Sequence, residues 1–297
     1  MRFAKVVVAL AALGSLTLPA VAQETLGAPP VLRITVEDIK PGNMSAHEKS
    51  VGSYMALFSR LQAPQSRLGV VPVSGDQNQV VYLEGFPSFE ALEASDKKLE
   101  AALAGSPALA AELEALERNS GPQHASQRTM IAVFRPDLSY RPLSAAAVGK
   151  SRYVSIATIQ TKLGHAADYE AYTKQTNRAR EKANLTESTS VFQVTSGAPF
   201  GTFLSFVARG SMAEMDADRA GMAARSKALD DALGGEEVVR LRRQTVEASI
   251  QSVRSVLYAF NPRLGTPAPQ IASADPDFWS PKATGKALAV KKEEPKK

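Results

Sequence analysis

AVFRPDL, residues 132–138, and YAFNPRL, residues 258–264, are two versions of one strand ending. Each is a short apolar run closed by Phe, one polar residue, Pro, one polar residue and Leu. Proline cannot donate to a strand ladder, so it marks the point where a strand stops. The repeated ending indicates two related units, because self-similarity along a chain is typical of repeated structures.

Further matches recur at a spacing of roughly 122 to 126 residues, which favours an internal duplication. The matched pairs are Pro41-Gly42 with Leu163-Gly164, Val73-Ser74-Gly75 with Thr195-Ser196-Gly197, Ser88 with Ser211, and Pro136 with Pro262.

Hydrophobic periodicity predicts the element order β-α-β-β-α-β in each unit. In the first unit it predicts strands at 31–38, 68–73, 80–84 and 129–134, and helices after 45 and over 89–119, interrupted near 105–107. In the second it predicts strands at 152–161, 189–194, 202–207 and 255–260, and helices at 165–184 and from 211 past 234–235.

This order predicts an α+β fold of two tandem ferredoxin-like βαββαβ units, packed sheet to sheet as a pseudo-dimeric α/β barrel. One such sheet leaves a face bare, and the second unit would cover it. The predicted segments are a signal peptide (1–22), a linker (23–30), half 1 (31–142), a linker (143–151), half 2 (152–264) and a disordered Pro/Lys-rich tail (265–297).

The first 22 residues predict export to the periplasm or the medium. Arg2 and Lys5 precede an apolar run, and Ala20-Val21-Ala22 is a small-x-small cleavage signal. No later stretch reaches the roughly 20 apolar residues of a transmembrane helix, so no span is predicted. Cysteine is absent, which excludes disulfides and thiolate chemistry.

The net charge of +5 is concentrated at the two ends of the chain. The near-neutral body argues against a nucleic-acid partner. The Lys-rich tail is typical of a solvated, disordered end, although it contains the single Trp, Trp279, which could dock on the domain.

The element order, the strand–(Pro/Leu)-Gly–helix opening and the Phe-x-Pro endings resemble the dimeric α/β-barrel superfamily. That group includes antibiotic-biosynthesis-monooxygenase-like, NIPSNAP-like and EthD-like proteins and the chlorite dismutase-like haem proteins. The resemblance covers about 31–136 and 152–264. It implies that haem is a conceivable cofactor, held by an axial histidine, but no cofactor is predicted from the residues.

No catalytic motif stands out, so the catalytic residues stay unknown and no metal site is predicted. The chain lacks Gly-x-Ser-x-Gly, Gly-x-Gly-x-x-Gly and P-loop patterns. His47 and His165 are expected to be exposed at helix starts, and His124 to lie in a polar loop. His165 with Asp168 is too small a set for zinc.

Strand alternation predicts a polar pocket between the sheets. If Leu32, Ile34 and Val36 face the helices, the intervening residues face the interior. The predicted ligand-binding residues are Arg33, Thr35, Tyr82, Glu84, Ser155, Ser205 and Tyr258, with Arg33 and Glu84 as a candidate ion pair.

Three functions fit these observations, and the sequence does not establish whether the protein is an enzyme. The first is an exported protein that binds a small, partly apolar ligand in the inter-sheet cavity. The second is a cofactor-independent or haem-using oxygenase-type enzyme of the same superfamily. The third is a structural, oligomer-forming envelope protein, and a homo-oligomer is compatible with all three.

Overall fold

The computed structural model describes residues 27–63 and 66–280, and its elements follow the predicted order. The first part contains β1 (Val31–Ile39), α1 (Met44–Arg60), β2 (Leu68–Pro72), β3 (Gln79–Phe86), α2 (Phe89–Ala104), α3 (Pro107–Ser120) and β4 (His124–Phe134). The second contains α4 (Ala145–Lys150), β5 (Tyr153–Thr161), α5 (Ala166–Lys182), β6 (Ser190–Ser196), β7 (Thr202–Arg209), α6 (Met212–Leu233), α7 (Glu236–Ser249) and β8 (Ile250–Phe260). The chain then forms α8 (Pro269–Ala272) and α9 (Pro276–Trp279).

Within these residues, eight antiparallel strands close into one barrel in the order β1-β3-β2-β8-β5-β7-β6-β4. The strands of each predicted half stay together, and the pairs β2–β8 and β4–β6 join the halves. The α+β class and the barrel are therefore confirmed. The stacking of two separate sheets is wrong, because the sheet edges hydrogen-bond to each other and leave no free edge.

Apolar side chains from all eight strands fill the barrel interior. These inward residues are Leu32, Ile34, Val36, Val70, Val81, Leu83, Ala132, Val154, Ile156, Phe192, Val194, Leu204, Val256, Tyr258 and Phe260. Alternate residues of each strand therefore point outward. In the first half, helix α1 packs its Val51 against outward residues of β1 and β3, including Ile39, Val80 and Tyr82.

The two halves repeat local details of the backbone. Gly42 and Gly164 follow β1 and β5, and each has a φ of 84°, a conformation that favours glycine. The β1–β4 ladder shifts register between Asp38 and Ile39. The β5–β8 ladder shifts in the same way between Gln160 and Thr161.

Some predicted boundaries are corrected by the structure. Helix α6 ends at Gly234, which has a φ of 113°, and α7 begins after Gly235, so the predicted continuous helix is two helices. Strands β4 and β8 begin at His124 and Ile250, several residues earlier than predicted. Gly105 and Ser106 separate α2 from α3, which confirms the predicted interruption.

The predicted disorder of the tail is wrong for residues 265–280. Trp279 is only 4% exposed and packs against Phe260 of the barrel core. Its indole Nε1 donates to the carbonyl of Gly149, 2.7 Å away. The predicted linker 143–151 contains α4, which packs against α8. The predicted signal peptide and residues 281–297 lie outside the described residues.

None of the helices that the structure describes is long and apolar enough to cross a membrane.

Candidate functional site

The structure places the predicted pocket residues on two faces of the sheet. Because Leu32, Ile34 and Val36 face the interior, the predicted orientation is inverted. The residues that point outward are Arg33, Thr35, Tyr82, Glu84, Ser155 and Ser205, by the alternation of their strands. Tyr258 points inward, and its hydroxyl donates to Gln79 Oε1 at 3.1 Å. These residues do not line one pocket.

The predicted ion pair between Arg33 and Glu84 does form, on the outer face of the barrel. Arg33 Nε donates to Glu84 Oε2, and Nη1 donates to Asp96 Oδ1 at 2.8 Å. Asp96 lies on α2, so this network ties the helix layer to β1 and β3. Thr35 Oγ1 lies 3.3 Å from Thr129 Oγ1 on β4, also on the outer face.

A different group of residues forms the densest polar cluster under α1. We call Glu37, His47 and His124 the Glu37 cluster, and Tyr82 and Arg67 adjoin it. Its ligand-type atoms all lie within 4.8 Å of one another. Sequence reasoning missed the cluster because it placed His47 on the surface and His124 in a loop.

His47 is buried, contrary to prediction. It is the fourth residue of α1 and is only 2% exposed. Its Nε2 lies 2.8 Å from the hydroxyl of Tyr82 and 3.5 Å from Glu37 Oε2. Because α1 packs against β1 and β3, its first turn carries the imidazole directly over the outer face of the sheet.

His124 approaches the same carboxylate from the start of β4. Its Nδ1 lies 3.0 Å from the carbonyl oxygen of Ser120, and its Nε2 lies 3.1 Å from Glu37 Oε2. A carbonyl only accepts hydrogen bonds, so Nδ1 carries a proton. If the His124 ring is neutral, its Nε2 presents a lone pair to the carboxylate of Glu37. A contact between these two atoms then requires a proton or a metal ion between them.

One nitrogen of His47 has no partner among the described residues. Its Nδ1 is buried and makes no hydrogen bond, whether it is protonated or not. An unsatisfied buried polar atom costs about 1–3 kcal/mol of stability. His47 therefore lowers the stability of the fold, and residues that do so are expected at functional sites.

Burial dominates the electrostatics of the cluster. It raises the pKa of Glu37, against the opposing effects of His124 and Arg67. It lowers the pKa of His47 to about 4, and the neighbouring His124 and Arg67 act in the same direction. Burial also raises the pKa of Tyr82 well above its usual range. The guanidinium of Arg67 lies 5.0 Å from the centre of the Tyr82 ring.

The corresponding place in the second half is apolar. Ile159 is the seventh residue of β5, as Glu37 is of β1. Tyr169 is the fourth residue of α5, as His47 is of α1. Ile250 begins β8, as His124 begins β4.

These three residues of the second half belong to an apolar group with Phe203, whose ring lies 4.7 Å from that of Tyr169. Among the described residues, the space under the corresponding helix, α5, is thus filled by aliphatic and aromatic side chains without histidine or carboxylate groups. A comparison of the two halves, position by position, is the sequence signal that could have revealed the cluster.

The ligand set and spacing suit a divalent transition metal. Two imidazoles and one carboxylate are ligands for zinc or iron, at roughly 2.0–2.2 Å from the ion, which separates ligand atoms by about 3–3.5 Å. The observed separations from Glu37 Oε2 are 3.1 Å to His124 Nε2 and 3.5 Å to His47 Nε2. The His124 side chain is 21% exposed and the His47 side chain is 3% exposed, so the cluster opens on the side of His124.

The described residues do not fit haem, which the family resemblance implies. His47 is only 2% exposed and lies between α1 and the sheet, so neither face of its ring is open to a haem plane. The ring of His47 also packs edge-on against His124, with centroids 5.2 Å apart. His165 is exposed and its Nδ1 lies 2.8 Å from Asp168 Oδ2, as an isolated pair on the surface.

Comparisons with known proteins give no family assignment. No protein-family profile matches the chain, and no curated protein matches it. Among solved structures, a Fusobacterium nucleatum protein provisionally described as a monooxygenase shares 12% identity and a TM-score of 0.45, covering 78% of this chain and 93% of its own.

Two other solved structures are similar. An anthrone oxidase-like protein shares 12% identity and a TM-score of 0.44, covering 78% of this chain and 91% of its own. A mutant chlorite dismutase from Candidatus Nitrospira defluvii shares 10% identity and a TM-score of 0.45, covering 86% of this chain and 98% of its own. Likenesses this distant carry no functional argument.

Proposed function

We propose that this protein is an exported metal-binding protein in which Glu37, His47 and His124 bind one divalent transition-metal ion. Export rests on the signal-peptide pattern of residues 1–22. The site lies between α1 and the outer face of the barrel, not in the inter-sheet cavity expected from the sequence. The hydroxyl of Tyr82 lies 2.8 Å from Nε2 of His47, so a metal ion bound at this nitrogen would take the place of that hydrogen bond.

The difference between the halves is the observation that carries the proposal. At three matching positions, the first half has an acid and two imidazoles where the second half has Ile159, Tyr169 and Ile250. A polar group in a place that can be filled by apolar side chains costs stability. We infer that the two halves arose by duplication and that only the first retained or gained the ligands.

The hydrogen-bond geometry supports the same proposal. With a proton on His124 Nδ1, the lone pair of Nε2 and the carboxylate of Glu37 face each other at 3.1 Å. A divalent cation between these two atoms would take the place of the proton that the contact otherwise requires. The backbone carbonyl of Ser120 would then serve as the outer partner that fixes the metal-binding tautomer.

Metal titration of the exported, chelator-treated protein tests the proposal. The wild type is expected to bind one Zn²⁺ per chain by calorimetry. Glu37→Gln and His124→Asn are each expected to weaken binding by at least about 100-fold, because even residues that only support a ligand account for roughly 10–100-fold. Circular dichroism would show that both variants remain folded.

His165→Gln is the matched control, since His165 is a surface histidine that is paired only with Asp168. It is expected to bind Zn²⁺ like the wild type. Absence of binding by the wild type, or equal binding by all variants, would refute the proposal and favour the structural role.

Oxygenase-type activity is the second candidate function. Two histidines and one carboxylate leave coordination positions open, and this set is the one used by non-haem Fe(II) oxygenases. The 21% exposure of the His124 side chain gives the cluster an open side. Oxygen consumption by the Fe²⁺-loaded protein, lost in Glu37→Gln, would distinguish an enzyme from a metal-binding protein.

A further inference from the structure

A depression on the surface of the second half is lined by positively charged side chains. We call it the α5–α7 pocket: it lies between the C-terminal half of α5 and the junction of α6 and α7, and its volume is about 240 Å³. Its walls include Arg178, Lys182 and Arg242 together with Ala179, Leu233 and Val238.

No acidic side chain lines this pocket. In the part of the chain that the structure describes, none of its three cations has a carboxylate within 4.0 Å. Several other arginines are paired with carboxylates. Arg135, for example, is held by Asp137 and Glu170.

Among the three cations, Arg242 gives the strongest evidence for an anion site, because it is only 9% exposed. Its Nη2 donates to the carbonyl of Tyr172 at 3.1 Å and to Thr176 Oγ1 at 2.7 Å, and its Nη1 donates to Gln175. The guanidinium also lies over the Tyr172 ring, 4.5 Å from its centre.

All of these partners of Arg242 are neutral. They fix the guanidinium in place at the pocket wall without compensating its charge. A buried charge is normally paired, because desolvation is otherwise expensive. The arrangement is therefore suited to an anion that approaches from the pocket.

The remaining walls favour an apolar group. Ala179 is buried, and Leu233 and Val238 face the same depression from α6 and α7. Val238 is 39% exposed, an unusually open position for a large aliphatic side chain. Lys182 Nζ lies 3.5 Å from the carbonyl of Ala232. Arg178, and the donors of Arg242 that its neutral partners leave unused, are therefore the cationic groups that we assign to the ligand.

We propose that the α5–α7 pocket binds a small amphiphilic carboxylate. The carboxylate meets Arg242 and Arg178, and its aliphatic chain lies on Leu233 and Val238. Hexanoate, a carboxylate with a short aliphatic chain, is a suitable probe for a depression of this volume. The site is on the other half of the barrel from the Glu37 cluster and is independent of the metal proposal.

Calorimetric titration of the exported protein with hexanoate tests this site. Half-saturation is expected near ~1 mM, a reasonable affinity for eight atoms. Butyrate is expected to bind about tenfold more weakly, because it lacks two methylene groups. Hexylamine, with the same chain and the opposite charge, is expected not to bind.

Arg178→Gln and Arg242→Gln should each weaken hexanoate binding by at least about tenfold, through loss of a charge-assisted hydrogen bond. Arg178 is exposed, so its substitution leaves the fold intact even if that of Arg242 does not. Arg243→Gln is the control, because Arg243 is the exposed neighbour on α7 and does not line the pocket.

Failure to approach saturation by about 10 mM hexanoate, roughly ten times the expected half-saturation concentration, would overturn the proposal. Equal binding of hexylamine, or an equal loss in Arg243→Gln, would overturn it as well.

Discussion

The carboxyl group of Glu37 lies where the second half of the barrel has the side chain of Ile159. Burial raises its pKa, and Nδ1 of the adjacent His47 is buried without a hydrogen-bond partner among the described residues. At the scale of single residues, we therefore expect the Glu37 cluster to lower the stability of the metal-free protein. Metal binding would recover that stability, because a ligand that binds only the native state stabilises it.

The double variant Glu37→Ile/His124→Ile, which copies the second half, is therefore expected to be more stable than the wild type in the presence of EDTA. Replacing buried polar pairs with apolar residues typically gains about 1–4 kcal/mol or is neutral. Urea unfolding with EDTA and with Zn²⁺ measures this, and Zn²⁺ should stabilise only the wild type.

Ile159→Glu is the reciprocal control for that experiment. It places an acid among Tyr169, Phe203 and Ile250, without imidazole partners, and should destabilise the protein strongly. A double variant that is clearly less stable than the wild type in EDTA would show that the Glu37 cluster is a structural element.

At the scale of elements, the segment 265–280 packs against the core of the barrel. Its α9 inserts Trp279 against Phe260, and Arg152 of the segment before β5 pairs with Asp275 and lies 4.0 Å from the Phe278 ring. These contacts hold the segment on the apolar core. Composition predicted disorder for this Pro-rich polar stretch, with docking of Trp279 on the domain as the alternative, and the structure shows the docked arrangement.

Trp279→Ala is expected to lower the free energy of unfolding by about 3–5 kcal/mol, the usual cost of removing a buried aromatic side chain. Chemical denaturation measures the change. Phe200→Ala is the control, because Phe200 is 75% exposed and should alter stability little. A loss below about 1 kcal/mol would mean that the segment is not docked in solution.

At the scale of the whole molecule, periodicity and turn residues were enough to predict the order of strands and helices. They could not predict which face of a strand points inward. Leu32, Ile34 and Val36 alternate with Arg33 and Thr35, and alternation fits either face. Closure of the sheet decides the question, because side chains fill the interior of a barrel of eight strands, and apolar side chains pack there without leaving unpaired polar groups.

The candidate site was unpredictable for a related reason. Glu37 on β1 and His47 on α1 are ten residues apart, but His124 follows 77 residues later on β4. The three meet only because β4 pairs with β1 and α1 packs over the sheet. His124 was also assigned to a loop, whereas β4 extends back to it and brings it opposite Ile39. In the sequence, the site is indicated only by the difference between these three residues and Ile159, Tyr169 and Ile250 at the matching positions of the second half.

The most direct test of the central claim is a crystal structure of the Zn²⁺-loaded protein with anomalous data at the zinc edge. The account predicts one anomalous peak, within about 2.0–2.2 Å of ligand atoms of Glu37, His47 and His124. A peak at His165 and Asp168, or none between the three cluster residues, would contradict it.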